Sequence, residues 1–387
     1  MKQRRTIPYH QYWFGEEEEA AVQRVLRSGW LTAASEVRSF EAEFAQAFNG
    51  QFAVGVSSCT AGLSVMLASL NLQPGDEVIT TPFTFASTAN VILQNGATPV
   101  FADIDPRYFI LSPEEVARKI SEKTRAVIVV HYAGNLHALD ELIELLRPHN
   151  IALLEDCAHA LGATYKNAPA GSFGIGGAFS FYPNKNITTG EGGMILSNAT
   201  AREQDYRRWR YHGLDVLPYE RDKAPVFKQY DVLCPGYKYN MNEIQAALGR
   251  VQLKHWAAWL ERRQHIYDAY AAALNNLAGV DYLQPGPDCR PGHHLFVVKL
   301  APEAFRCSRD ELLAQLSAEG LQLSVSFQPI HLFTYYRGRY GFGPGDFPVA
   351  ERAANSVFSL PFYPKLTDQE VNYVAETTRR VLQANLR

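Results

Sequence analysis

Short apolar runs rich in β-branched residues alternate with helical patterns through the first 200 residues. "QFAVGVSS" precedes the helical "TAGLSVMLASLNL", and "DEVITTPFTF" precedes "ASTANVILQNG". "TPVFADID" leads to a helix near "SPEEVARKIS", "RAVIVVHY" to "LDELIELLRPHN", and "IALLEDCAHA" to "GGAFSFYP" and "GGMILSN". Near-continuous apolar strands separated by helices predict an α/β fold whose mostly parallel sheet is covered on both faces. Ligands of such folds sit at the carboxyl ends of the strands. The pattern is irregular from about Ser197 to Pro235, and a long helix is expected from about Asn242 to Leu274. Beyond it, "HHLFVVKL" and "LQLSVSFQPIH" read as strands around the helical "SRDELLAQLSAEG", and a helix capped at Thr367 closes the chain. A smaller α+β lobe follows, giving domains 1–250 and 251–387.

The length of 387 residues suits two such units, and a formal net charge of -3 gives no general pull towards nucleic acid or an anionic membrane. The run Glu16 to Glu19 reads as a solvated helix start. Five cysteines, Cys59, Cys157, Cys234, Cys289 and Cys307, include no CxxC pair. Neither a disulfide framework nor a metal site is expected, and a reducing compartment is the simpler reading. No stretch has the length of a signal peptide or a membrane span, so the expected location is cytoplasmic.

Candidate chemistry gathers at the strand ends. Asp156 ends the apolar run "IALLE", and Lys185 follows the later strand-like "FSFYP". Two opposite charges at neighbouring strand ends make either a structural ion pair or a site. "GVSSCTAGLSVML" is a strand, a small-residue turn and a helix. Its exposed N–H groups, with hydroxyls from Ser57, Ser58 and Thr60, suit a phosphate. Phe83 and Phe85 in "PFTFAS" belong to the core or cover a flat ring. "GIGGAF" lacks GxGxxG spacing and precedes a strand, which excludes a dinucleotide reading. A lysine, an acid, a phosphate cup and an aromatic cover are together the parts that pyridoxal phosphate needs.

"SGWLTAASEVRSFEAEFAQAFNG", "SSCTAGL", "TPFTFASTAN", "VHYAGN", "EDCAHALGA", "FSFYPNKNITTGEGG", "YHGLD", "PGYKYNMNEIQAALGRVQL" and "SLPFYP" follow one another along nearly the whole chain. In this order they resemble the nucleotide-sugar aminotransferases of the DegT-like group, although Ala33 and Ala34 stand where threonine and glycine are more usual. The resemblance implies fold type I architecture, with a large pyridoxal phosphate-binding domain and a small C-terminal domain. It implies that Lys185 carries the cofactor as a Schiff base and moves protons, and that Asp156 pairs with the pyridine nitrogen. His159 would bond the ring hydroxyl, Thr60, Ala61 and Ser180 would bind the phosphate, and Phe85 would stack on the ring. A homodimer is implied, in which the segment matching "GYKYN" completes the phosphate site of the neighbouring subunit. Lys238 stands there where many members have asparagine, so either Lys238 or Asn240 takes the role. Trp30, Leu31 and Thr32 match a segment lining the sugar pocket, and His331 matches a late histidine near the site. Glu191 orients the glycine turn Gly190, Gly192 and Gly193, and Tyr335 and Tyr336 read as packing. The implied substrates are L-glutamate and a nucleotide-linked keto sugar, with "PGYKYN" closest to enzymes that aminate 4-keto sugars. Rival readings are a sugar dehydratase on the same fold, which typically has histidine in place of Lys185, and a cofactor-binding sensor without catalysis.

Overall fold

The computed structural model describes residues 6–216 and 229–387. The expected strands form one seven-stranded sheet. In chain order the strands to this point are β1 (Phe52–Val56), β2 (Glu77–Thr80), β3 (Thr98–Phe101), β4 (Thr124–Val130), β5 (Ala152–Asp156), β6 (Thr164–Tyr165), β7 (Ala168–Pro169), β8 (Gly176–Ser180) and β9 (Gly193–Ser197). The sheet runs β1-β9-β8-β5-β4-β2-β3. The strands β8, β5, β4, β2 and β3 are parallel, and β9 is antiparallel to both its neighbours, so only β9 opposes the common direction. Every residue of β1 and β9 is buried, as a sheet covered on both faces requires. The helix Cys59–Ala68 is buried on almost all sides and has no apolar stripe.

The irregular stretch between Ser197 and Pro235 holds the helix Glu203–Trp209, and its residues 217–228 lie outside the described residues. The long helix runs Glu243–Leu274, with Asn242 accepting from the Gln245 N–H at 2.9 Å and Gln245 reaching back to the Asn242 N–H. Residue 250, the expected domain boundary, falls inside this helix. Ala246 and Leu253 belong to the core around the main sheet, while Ile266, Tyr270 and Leu274 belong to the core of the smaller lobe. Ile330, Phe347 and Val357 also return to the main core, so residues after 251 serve both lobes.

The smaller lobe carries the antiparallel strands β10 (Val280–Tyr282), β12 (Val297–Leu300) and β13 (Val357–Ser359) in the order β10-β12-β13. The helices Arg309–Ala318, capped at Ser308, and Asp368–Ala384, capped at Thr367, pack in its core. A strand was expected over "LQLSVSFQPIH" and does not form. Only single bridges occur, Ile7 with Leu321 and Ser324 with Ser359. Val325 is 39% exposed, and Ser324, Ser326 and Phe327 turn into the cleft described below. Short strands β6 and β7 join β11 (Cys289–Arg290) in a third sheet that periodicity did not reveal.

One buried ion pair ties the N-terminal helices to the strand that presents the site. Glu41, on the helix Ser35–Ala47, accepts from the Gly55 N–H of β1 at 2.8 Å, from Arg207 at 2.7 Å and from Arg210. Glu41 and Arg210 are 4% and 3% exposed. Burial alone pushes the Glu41 carboxyl up, but Arg210 and Arg207 overcome it and leave it below its ordinary value of 4.5. Glu41→Gln should therefore destabilise the fold by about 3–5 kcal/mol in urea unfolding, because it strands a buried guanidinium. A folded-state pKa below the unfolded one stabilises above the unfolded value. The gap between wild type and variant should be full above pH 4.5 and close as the pH falls through the lower folded value.

Candidate active site

Strand β5 delivers Asp156 to the carboxyl edge of the sheet, where it is 5% exposed. Its Oδ1 accepts from the Ala158 N–H at 3.1 Å and faces the Cys59 thiol at 3.7 Å. Its Oδ2 accepts from the Thr88 hydroxyl at 2.9 Å. Thr88 lies in the first turn of the helix Ala86–Gln94 and contacts Thr84 at 3.0 Å.

Lys185 follows β8 in a tightly bonded loop. Its N–H donates to the Tyr182 carbonyl at 3.0 Å, the Thr189 N–H and Thr188 hydroxyl both donate to the Phe181 carbonyl, and the Phe181 N–H donates to Gly192. Burial pushes the Lys185 ammonium down from 10.5 to about 8, against the opposite pull of Cys59 and Asp156. Among the described residues, Asp156 and Lys185 form no ion pair: the two oxygens of Asp156 are engaged by Ala158, Cys59 and Thr88 instead.

Both groups line a cavity of about 480 Å³, with Ser58, Thr60, Phe85, His159, Ser180, Tyr182, Glu191 and His294 also in its wall. Ser58 caps the helix Cys59–Ala68 by accepting from the Ala61 N–H at 3.1 Å. That N–H is thus engaged by Ser58, and Thr60, not Ala61, lines the cavity. Phe83 is fully buried 5.0 Å from the Tyr132 ring, whereas Phe85 is 65% exposed and offers a ring face. His159 Nδ1 accepts from the Ala133 N–H at 3.3 Å, so a neutral ring carries its proton on Nε2. Burial, helped by Lys185, holds the His159 pKa well below 6.5 and keeps the ring neutral.

Other expected residues lie elsewhere. The Lys238 ammonium sits 3.8 Å from the Tyr211 ring centre, and Asn240 Nδ2 donates to the Met241 carbonyl at 3.0 Å. Neither lines the cavity of its own chain, and neither do Trp30, Leu31 and Thr32. The Leu31 carbonyl caps the long helix by accepting from the Glu243 N–H at 3.1 Å. His331 does not reach the cavity: its fully buried ring bonds Glu351 at 3.0 Å and meets Phe347 edge-on, because the turn Ile330–Leu332 aims it at the helix Pro348–Ser356. Tyr336 is packed, with its hydroxyl on Asn90, while Tyr335 is 55% exposed. Sequence reasoning missed Thr88, Tyr9, Asn184, His294, Ser326 and Phe327. Thr88 stands four residues beyond Thr84, a spacing that signals a shared helix face, but the last three come from the small lobe and carry no local signature. His131, Glu155 and Cys157 also gather behind β5, within 4.8 Å of one another. Glu155 is saturated there by His131 Nε2 and by the Gly171 and Phe173 N–H groups, each at 2.8 Å, as a structural network is.

A desolvated lysine and a hydrogen-bonded carboxylate, set around a hydroxyl-lined helix N-terminus, fit pyridoxal phosphate, and the class is that of the pyridoxal phosphate-dependent aminotransferases of fold type I. Residues 13–379 match the DegT/DnrJ/EryC1/StrS aminotransferase family, and the chain belongs to it. It is 37% identical over 384 residues to the spore coat polysaccharide biosynthesis protein SpsC of Bacillus subtilis, covering 99% of each chain. The fold is similar to that of Spr1654 of Streptococcus pneumoniae, designated a sugar aminotransferase and solved in a PMP form. That likeness has a TM-score of 0.91 at 30% identity over 98% of this chain and 99% of the other. The Helicobacter pylori aminotransferase PseC, involved in the biosynthesis of pseudoaminic acid, matches with a TM-score of 0.90 at 27% identity over 98% and 100%.

The Ser57–Thr60 turn depends on one glycine. A Cβ on Gly193 would lie 2.5 Å from the Ser58 carbonyl carbon and 2.6 Å from the Cys59 nitrogen, which are backbone atoms that cannot swing away. Gly193→Ala should displace the Ser57–Thr60 turn at a cost of about 1–3 kcal/mol. Cofactor retention in equilibrium dialysis should weaken by about tenfold to a hundredfold.

Proposed function

We propose that this chain transfers an amino group from L-glutamate to a 4-keto sugar carried on a nucleotide, in the making of an amino sugar for a polysaccharide or glycan. The observation that carries the reading is the depressed Lys185 amine beside Asp156. At about pH 7.5 an amine of pKa about 8 is about one quarter neutral, whereas one of pKa 10.5 is about one part in a thousand neutral. Lys185 can therefore bind a carbonyl covalently and, once free, take a proton from the substrate carbon and return it. Bound pyridoxal phosphate supplies an electron sink for that proton transfer.

Asp156 would pair with the pyridine nitrogen, and the Ala158 N–H and the Thr88 hydroxyl donate to its carboxylate. His159 Nε2–H is the donor for the ring hydroxyl, and Phe85 covers the ring face. Thr60, Ser58 and Ser180 offer hydroxyls to the phosphate. Support for a sugar acceptor comes from the likeness to SpsC and PseC and from the hydroxyl and amide groups of Ser324, Ser326 and Asn184 in the wall. The 4-keto position and the glutamate donor rest on the resemblance of "PGYKYN" and its surroundings.

Charge favours a shared site in a homodimer. Among the described residues, Lys185 is the only lysine or arginine lining the cavity, against Asp156 and Glu191. The cofactor phosphate, a dicarboxylate donor and a nucleotide diphosphate are all anions. Cations must enter from outside this chain's own cleft, and Lys238, with Asn240 beside it, is our candidate from the second copy. Trp30, Leu31 and Thr32 would reach the sugar across the same interface. The described residues contain no helix long and apolar enough to cross a membrane.

The visible band of the purified protein should give way to a near-ultraviolet band when L-glutamate is added. Lys185→Ala should lose the visible band and all turnover, and an unchanged band would refute the role of Lys185. Asp156→Asn should keep part of the cofactor but lose at least about a hundredfold in kcat, consistent with general acid–base and electron-sink losses. Steady-state amination of a nucleotide-linked 4-keto sugar against its 3-keto isomer decides the substrate position, and preference for the 3-keto isomer would overturn that part of the proposal.

A further inference from the structure

Two threonine hydroxyls back the carboxylate of Asp156, and their hydrogen bonds run in one direction. Thr88 donates to Asp156 Oδ2 at 2.9 Å, which engages its single proton. In the 3.0 Å contact between the two hydroxyls Thr84 is therefore the donor and Thr88 the acceptor. Both residues are buried, Thr88 completely. They stand four residues apart at the start of the helix Ala86–Gln94, and Phe85, its N-cap, lies between them in sequence and is exposed. One turn thus supplies both the candidate ring cover and the backing of the acid.

The other oxygen, Oδ1, takes the Ala158 N–H at 3.1 Å. The Cys59 thiol lies 3.7 Å from it but 3.1 Å from the Ala178 carbonyl, the nearer acceptor for its one proton. Among the described residues, Thr88 is the donor that engages Oδ2. The torsion that turns a carboxylate about its Cβ–Cγ bond has only a broad preference of its own. A donor on each oxygen fixes the plane, and the backbone donor on Oδ1 cannot do so alone.

We propose that Thr88 is a positioning residue for Asp156 and that Thr84 reinforces it from behind, a role that rests on Asp156 pairing with the pyridine nitrogen of the cofactor. A hydrogen bond donated to a carboxylate stabilises its charged form over the acid. A proton shared between that carboxylate and the pyridine nitrogen is then held on the nitrogen, where the electron sink needs it. By donating to Thr88, Thr84 polarises the hydroxyl that faces Asp156 and strengthens its bond by about 10–30%.

The test reads the ring nitrogen directly. The full-length protein is saturated with pyridoxal phosphate isotopically labelled at that atom. Its resonance in solid-state nitrogen NMR is placed between standards for the protonated and the neutral ring. The wild type is expected near the protonated end. Thr88→Val keeps the side-chain shape and removes the hydroxyl. Losing a hydrogen bond to a charged group should lower the ratio of protonated to neutral ring about tenfold or more and move the resonance towards the neutral end. Thr88→Ser restores the hydroxyl and should restore the wild-type position. Thr84→Val should move the resonance the same way by about 10–30% of the Thr88→Val displacement. If Thr88→Val does not fold, Thr88→Ala replaces it with the same expectation. A resonance unmoved in the variant lacking the hydroxyl, or moved as far in Thr88→Ser, overturns the inference and makes Thr88 a packing residue. A larger displacement in Thr84→Val than in Thr88→Val overturns the reinforcing role of Thr84. Asp156→Asn tests the reading beneath: its resonance should lie at the neutral end, and one that stays at the protonated end overturns the pairing of Asp156 with the ring.

Discussion

Keeping an amine out of water without letting it collapse onto a carboxylate is the constraint on which the site depends. Lys185 lies in a desolvated cleft with Asp156, and a direct ion pair would hold it protonated and inert. The fold prevents that by occupying the carboxylate first. Ala158, Thr88 and Cys59 approach Asp156 from three separate segments, and Lys185 is left to the balance between burial, which pushes its pKa down, and the more distant pull of Asp156 and Cys59.

The scaffold serves this balance through its strand ends. Strands β5 and β8 run parallel and stop at the same edge, one in Asp156 and the other shortly before Lys185. Strand β1, on the far side of antiparallel β9, ends in the Ser57–Thr60 turn against Gly193. The buried Glu41–Arg210 pair holds β1 by its Gly55 backbone, with Arg210 also donating to the Gly55 carbonyl at 2.7 Å. A charge cluster outside the cleft thereby contributes to the shape of the Ser57–Thr60 turn, and the small lobe closes the remaining wall with His294, Ser324, Ser326 and Phe327.

A single chain builds the chemistry of the cofactor more fully than the binding of the substrates. Among the described residues its cleft has one lysine, two acids and many hydroxyls, while the cofactor phosphate and the proposed donor and nucleotide-linked acceptor are all anions. This imbalance is the physical motive for the proposed sharing of the site between two copies; Lys238 and Trp30 to Thr32 lie outside the cleft of their own chain.

The alternation of apolar runs and helical patterns determined the parallel sheet, the long helix from Glu243 and the capped terminal helix, since these depend on local periodicity and caps. The positions of Asp156 and Lys185 at strand ends were legible for the same reason: an apolar run that stops at a charge marks an edge. Resemblance supplied the roles for these positions. Only the tertiary structure decided which residues meet there. It made "LQLSVSFQPIH" a cleft wall instead of a strand, turned His331 towards Glu351, put Phe83 in the core and Phe85 in the cleft, and brought His294 beside His159 from far along the chain. Periodicity reports which face of an element is covered. It says nothing of which distant element covers it, and hydrogen-bond partners and desolvation, which set the Lys185 and histidine pKa values, come from those distant elements.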